Sequence, residues 1–392
     1  METMRAVAVE ATAHYSVDGN RLTLLTDGPA RLEALLALIG SAQTSLRLLY
    51  YTYSGDEAGL KVRDALIAAL ARGVRVSMII DGFGSSDASD AFLAPLRAAG
   101  ADLCRFIPSL GRRYLLRNHQ KLALADEKSV IIGGFNVSCD YFGTTADQAW
   151  RDLGIALEGP AAARLVGYFD GLMRWARIPR ASIRSLRRGL MRWSSPPGPV
   201  RWLFGGPTRR LSPWARMVKR DMRGARRFDM ITAYFAPNPA MLRRLERIAR
   251  RGGEVRILTA AKSDNSATIG AARHCYRRLL KAGVRIFEYQ PTKLHTKLFV
   301  IDDAVHSGSA NFDMRSLYIN LEIMLRIADA PFAGYMRAYV DGELERSEEI
   351  TRESHRARSS WLNRLRWSIE YFLVAVLDYN VTRRLNFGIG EE

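Results

Sequence analysis

Apolar positions along this 392-residue chain alternate between two patterns: short continuous runs of the kind a strand buries, and longer stretches with apolar residues every three or four positions. The run Leu46 to Tyr53 is followed by a helical pattern over Ala58 to Arg72, then Gly73 and a second run, Val74 to Ile80. The order returns as Met230 to Phe235, Pro239 to Arg251, Gly252-Gly253 and Val255 to Thr259. Glycine after a basic last turn stops a helix, and strands alternating with helices of this length predict a largely parallel sheet covered by helices. Because the order recurs, and LRAAGADLCRF is matched by LLKAGVRIFEY, the chain reads as a duplication. The fold class expected is α/β, with two similar α-β-α sandwich halves, pseudo-two-fold symmetry and one active site at their interface. The boundaries expected are 20–173 for the first half, 174–227 for a basic linker and 228–392 for the second half with an amphipathic tail.

The chemistry repeats with the pattern. HQKLALAD, His119 to Asp126, returns as HTKLFVID, His295 to Asp302, so His-x-Lys-x-x-x-x-Asp occurs twice, 176 residues apart. One such match is roughly a 1-in-10,000 event per starting point, so it is the second copy in matched surroundings that carries weight. The first motif runs into Gly133-Gly134-Phe-Asn136 and the second into Gly308-Ser309-Ala-Asn311. On a strand, side chains two apart share a face, which puts His119 with Lys121 and His295 with Lys297. Leu122, Leu124, Leu298 and Val300 then face a core.

Two imidazoles and two ammoniums suit a phosphodiester. One imidazole can attack phosphorus while the other protonates the leaving oxygen and later deprotonates the incoming alcohol or water. Lys121, Lys297, Asn136, Asn311 and Ser309 are donors for the charged oxygens, a contribution that stands in for a metal ion. Each imidazole needs its far nitrogen held, and Asp152 and Glu322 are the acids available after the two motifs. Asp126 and Asp302 complete the motif, but their distance from the lysines predicts a structural role at a strand end. His14, His274 and His355 read as ordinary positions and His306 as structural.

Composition bounds the setting. Cys104, Cys139 and Cys275 show no close pairing, which argues against a disulfide framework or a structural zinc site. The first 20 residues lack a basic region followed by an apolar stretch, and no run reaches the roughly 18 apolar residues of a membrane span. A soluble or peripheral protein on the cytoplasmic side is expected. The formal net charge of +18 favours a polyanionic partner, nucleic acid or an anionic membrane surface.

Residues 174–227 hold sixteen Arg or Lys against one acid, Asp221, with Trp175, Trp193, Trp202 and Trp214 interspersed. This composition reads as lying outside the core: an interfacial membrane segment first, a solvated basic linker or a nucleic-acid groove as alternatives. The carboxyl end, residues 361–390, has apolar residues at helical spacing flanked by Arg364, Arg366, Arg383 and Arg384. It reads either as an amphipathic membrane anchor or as a last helix packed on its own half.

RNHQKLALAD, GGFNVS, WRDLGIALEGPAA, LHTKLFVID and GSANFDMRS resemble the double motif of the phospholipase D superfamily, over most of the chain from about Leu46 to Ile327. They are most similar to bacterial cardiolipin synthases of the shorter branch without membrane-spanning helices. The resemblance implies a phosphatidyl group passed from one phospholipid through a phosphohistidine to the hydroxyl of phosphatidylglycerol, without metal or other cofactor. It implies His119 as nucleophile and His295 as general acid/base, phospholipids and an anionic membrane surface as partners, and a monomer, since both motifs lie in one chain. Water as acceptor would make the same site a phospholipase D releasing phosphatidic acid, and a nucleic-acid diester would make it a nuclease.

Overall fold

The computed structural model describes residues 14–106, 116–178, 181–194, 196–208 and 211–377. The first half contributes strands β1 (His14–Val17), β2 (Asn20–Leu25), β3 (Ser45–Tyr50), β4 (Arg75–Asp81), β5 (Asp102–Phe106), β6 (Leu122–Ala125), β7 (Ser129–Gly133) and β8 (Gly154–Glu158). They form one sheet in the order β1-β2-β8-β7-β6-β3-β4-β5. From the rest of the chain come β9 (Val200–Gly205), β10 (Arg227–Thr232), β11 (Phe235–Ala236), β12 (Glu254–Ala260), β13 (Arg285–Tyr289), β14 (Lys297–Ile301), β15 (Ala304–Gly308), β16 (Phe312–Asp313), β17 (Glu322–Ala328) and β18 (Ser347–Ile350). Eight of these make the second sheet, in the order β18-β13-β12-β10-β14-β15-β17-β9, and β11 pairs with β16 beside it.

The duplication is visible strand by strand: β3-β4-β5 repeats as β10-β12-β13, β6-β7-β8 as β14-β15-β17, and β9 takes the place of β2. Each sheet is mixed, which corrects the expectation of a largely parallel one. Within the two large sheets only β3-β4-β5 and β10-β12-β13 run parallel. The motif strands β6 and β14 return at once through short turns as β7 and β15, and a connection that short can only join antiparallel neighbours.

Helices cover both faces of both sheets. The outer face of the first packs on Gly28–Ser41, Glu57–Ala71 and Asp90–Ala98, and that of the second on Pro213–Asp221, Pro239–Arg250 and Ser266–Lys281. Between the sheets, Pro160–Arg177 and Ala330–Leu344 share one apolar core. Leu122, Leu124, Leu298 and Val300 all lie in that shared core.

The basic segment differs from its expectation. It forms helix Ile183–Trp193, edge strand β9 and helix Pro213–Asp221, and both Trp202 and Trp214 are fully buried. The apolar residues alternate with the arginines, so one face of each element reaches the core while the cations stay outside; composition averaged over the segment hides this. Of the carboxyl end, residues 378–392, with Arg383 and Arg384, lie outside the described residues.

Candidate active site

Each motif histidine precedes its strand, at the edge facing the other half. There the backbone crosses over: His119 N donates to Leu321 O and Leu321 N to Arg117 O, while His295 N donates to Arg151 O and Arg151 N to Lys293 O. The two bridges are equivalent under the duplication. Each fixes a histidine beside the residue that precedes the acid of the opposite half.

The acids therefore pair crosswise. Nδ1 of His119 lies 3.1 Å from both oxygens of Glu322, and Nδ1 of His295 lies 2.6 Å from Oδ2 of Asp152. Both carboxylates are fully buried. A carboxylate accepts only, so each Nδ1 carries the proton and each Nε2 lone pair is left for chemistry. Lys121 Nζ donates to His119 O at 2.6 Å, and Lys297 Nζ to His295 O. Lys297 bears electrostatically on His119 and Lys121 on His295, so the four groups form one cluster.

The cluster is buried, and burial dominates its titration. It pushes His295 down to about 3, helped by the Lys297 ammonium and opposed by Asp152. His119 is lowered for the same reason, with Lys121 second. Lys297 falls to about 8 and Lys121 well below its usual value, both through burial. Burial alone would raise Asp152, but His295 and Lys297 outweigh it and hold the carboxyl below the usual range. An unoccupied site at neutral pH thus has neutral imidazoles. A negative charge placed beside these imidazoles would raise their affinity for a proton.

Supporting contacts hold the pairs. Ser309 and Ser316 hydroxyls donate to the two oxygens of Glu322. Trp214 Nε1 donates to Ser316 O at 3.1 Å, so the basic segment buttresses the site. Gly134 lies so close to Asp152 that a Cβ there would sit 2.5 Å from Oδ1. Gly308, at φ +156°, would place a Cβ 2.2 Å from Ile323 O. Gly133 would likewise place a Cβ 2.6 Å from Leu153 O, so each of the three glycines after the motifs is required.

Most of the other residues singled out from the sequence have partners of their own. Ser309, expected to bind phosphate, is buried and committed to Glu322. Asn136 accepts from Thr52 N and donates to Tyr141 OH, whereas Oδ1 of Asn311 is buried with no partner among the described residues. Asp126 and Asp302 stand at the far ends of their strands, about 16 Å of extended chain from the lysines, and play no part at the imidazoles. Asp126 accepts from Gln43 N, Thr44 N and Ser45 N, and Asp302 from Arg226 N and Arg227 N. His306 pairs with Asp221 beside Arg326, away from the cluster.

Residues the sequence did not single out complete the walls. Tyr51 meets His119 edge-on at 5.1 Å, Tyr141 meets His295 likewise at 5.1 Å, and Trp150 lies 5.4 Å from His295. Gln120 donates to Glu322 O, and Asp81 accepts from Asn118 N. Position 120 sits between two motif residues, the one signal that pointed to it.

Two halves, each lending a histidine-lysine pair and the carboxylate that orients the other half's histidine, define a duplicated two-histidine site for phosphoryl-group chemistry. The chain belongs to the phospholipase D-like family of cardiolipin synthases: the family model described as "Cardiolipin synthase, PLD-like domain" matches residues 35–172 and 219–343. The chain is 30% identical over 372 residues to the major cardiolipin synthase ClsA of Bacillus subtilis, covering 92% of this chain and 76% of that one. It is 30% identical over 363 residues to cardiolipin synthase B of Salmonella typhimurium, covering 88% and 86%. The fold also matches the crystal structure of phosphatidylserine synthase from Haemophilus influenzae, with a TM-score of 0.68 at 14% identity over 92% of this chain and 95% of that one. The chain is an enzyme of the phosphatidyltransferase class.

Proposed function

We propose that this protein makes cardiolipin from phosphatidylglycerol and a second phospholipid, with His119 as nucleophile and His295 as general acid/base. The crossed histidine-carboxylate pairs flanked by Lys121 and Lys297 carry this reading. His295 takes up a proton at Nε2 as the anionic diester binds; Nε2 of His119 attacks phosphorus, the bond to the headgroup oxygen breaks, and His295 gives that oxygen this proton. The hydroxyl of the second lipid then attacks the phosphohistidine, His295 takes its proton, and the P–N bond breaks. Lys121, Lys297 and Asn311 donate to the phosphoryl oxygens as charge builds on them. Asp126 and Asp302 fasten strand ends. The enzyme works without metal, as a monomer, on the inner face of the cell membrane, to which its net charge of +18 attracts it.

Purified protein incubated with phosphatidylglycerol vesicles and excess chelator, followed by lipid mass spectrometry, tests this. Cardiolipin and free glycerol, absent with His119→Ala, are expected. Phosphatidic acid in their place would make the enzyme a hydrolase, and rescue by a divalent ion alone would overturn the metal-free chemistry.

A further inference from the structure

Of the ten large apolar side chains that stand well exposed among the described residues, six fall between positions 361 and 373: Trp361, Leu362, Leu365, Ile369, Phe372 and Leu373. Their spacing of one, three, four, three and one lines a single face of the helix Trp361–Tyr371 and its continuation. Trp361 is 67% exposed and Phe372 52%. The opposite face is fixed. Trp367 is buried and stacks on His355, Tyr371 stacks on His274 and donates to Pro237 O, and the Glu370 side chain lies against Gly270. The helix is thus held rigidly on its own half, with an apolar stripe turned to solvent.

Beside the start of this helix is a cleft of about 720 Å³ lined by Arg277, Lys281, Arg352, Arg356 and Arg364, with no acid among its lining residues. Arg352 caps the carbonyls of Leu280 and Lys281. None of the other four cations makes an ion pair among the described residues. Past the stripe, the buried side of the same helix packs toward the site. Ala375 packs with Met314 of the short helix Met314–Tyr318, the helix that carries Ser316 to Glu322.

We infer that this stripe and the cleft beside it form the surface by which the enzyme docks on an anionic phospholipid bilayer, with lipid phosphates in the cleft and the stripe among the upper acyl chains. The inference rests on the phospholipid reading of the site and names the surface that reading leaves open. A bilayer offers phosphates and hydrocarbon within a few ångströms of depth, which is the pairing this face presents. A polyanion such as nucleic acid would leave the leucines, isoleucine and phenylalanine in water. A second copy packed on the stripe about a two-fold axis would bury the apolar residues but gives no account of the acid-free cationic cleft beside them.

The full chain is tested by co-sedimentation with phosphatidylglycerol vesicles, using Leu365→Glu/Ile369→Glu and Arg277→Glu/Arg356→Glu. The first pair should weaken partition by about tenfold or more. The second should weaken it by at least about fivefold per residue, as about 1 kcal/mol per cation implies. Trp361→Phe should remove quenching of the protein's fluorescence by brominated acyl chains. Both pairs should keep the wild-type melting temperature and turnover of dispersed short-chain phosphatidylglycerol. If the glutamates disturb folding, Leu365→Ser/Ile369→Ser decides by the same measure. Vesicle binding unchanged in the folded variants would overturn the inference, as would a wild-type dimer that the first pair splits without loss of vesicle binding. Wild-type binding that the variants lose, in a protein that turns over no lipid, would leave the docking surface standing and remove the proposed reaction.

Discussion

Nδ1 of His295 lies 2.6 Å from Oδ2 of Asp152, and the two residues come from different copies of the repeat. The same exchange joins His119 to Glu322, so neither half holds a complete histidine pair. Asp152→Asn keeps the shape but turns an acceptor into a side chain that can also donate, which frees the imidazole to adopt the wrong tautomer. Turnover should fall by about 10² to 10⁴. Rapid-quench kinetics should show the phosphohistidine on His119 still forming if its leaving group needs no proton, as with a nitrophenyl phosphodiester, while alcohol-leaving substrates stall. Equal losses on both substrates would contradict the role given to His295.

Asp126→Asn should act on stability and spare chemistry. Its carboxylate accepts from three successive backbone N–H groups and the Thr44 hydroxyl, and it is held down to about 2 although partial burial works the other way. The variant should lose about 1.5–3 kcal/mol in urea unfolding, the range for hydrogen bonds to a charged group. At a temperature where it is folded, its kcat should match wild type. A carboxyl depressed in the fold contributes stability above its unfolded value and loses it on acidification, here between about pH 4 and pH 2.

His295 gives the protein an acid sensitivity of a different origin. Its folded value is about 3 against 6.5 for a free imidazole, so between these the unfolded chain binds more protons than the folded one. Stability therefore rises with pH through the window from 3 to 6.5 and levels off above it. Chemical denaturation at pH 4.5 and pH 7 should show this slope, and His295→Gln should flatten part of it. A lipid phosphodiester bound at the site should raise the imidazole's affinity for a proton and shift the slope to higher pH. An unchanged slope in the variant would mean that His295 is not buried neutral.

What was legible in the sequence was whatever the duplication printed twice. The strand-helix-strand units, both histidine-lysine pairs, the two acids and the glycines after each motif all came from matched positions. The crossing of the acids was not legible, because sequence order sets Asp152 after His119 and gives no distance across the halves. The antiparallel hairpins were hidden because a period-two pattern carries no strand direction. Tyr51, Tyr141 and Trp150 left no signal, since an aromatic beside an imidazole looks like any core aromatic. The bond from the Ser309 hydroxyl to Glu322 was not legible either, because a serine after the motif looks the same whether it meets phosphate or a carboxylate.

The basic segment offers the sharpest contrast between composition and packing. Trp202 lies on edge strand β9, opposite Leu325, and its Nε1 donates to Ala161 O at 2.7 Å, so it ties the second sheet to a helix of the first half. A tryptophan in a solvated linker can be replaced within about 0.5 kcal/mol. Trp202→Ala should instead cost about 3–5 kcal/mol, the range for emptying a buried aromatic site. Trp202→Phe should cost less, because the ring volume is partly kept and one hydrogen bond worth about 1 kcal/mol is lost. Since both halves contribute to the active site, the alanine variant should lose activity on warming well before wild type, while unaffected at low temperature. Urea titrations of the two variants, followed by residual turnover across temperature, check both the order and the size of these losses. Near-wild-type stability in Trp202→Ala would return the segment to the surface.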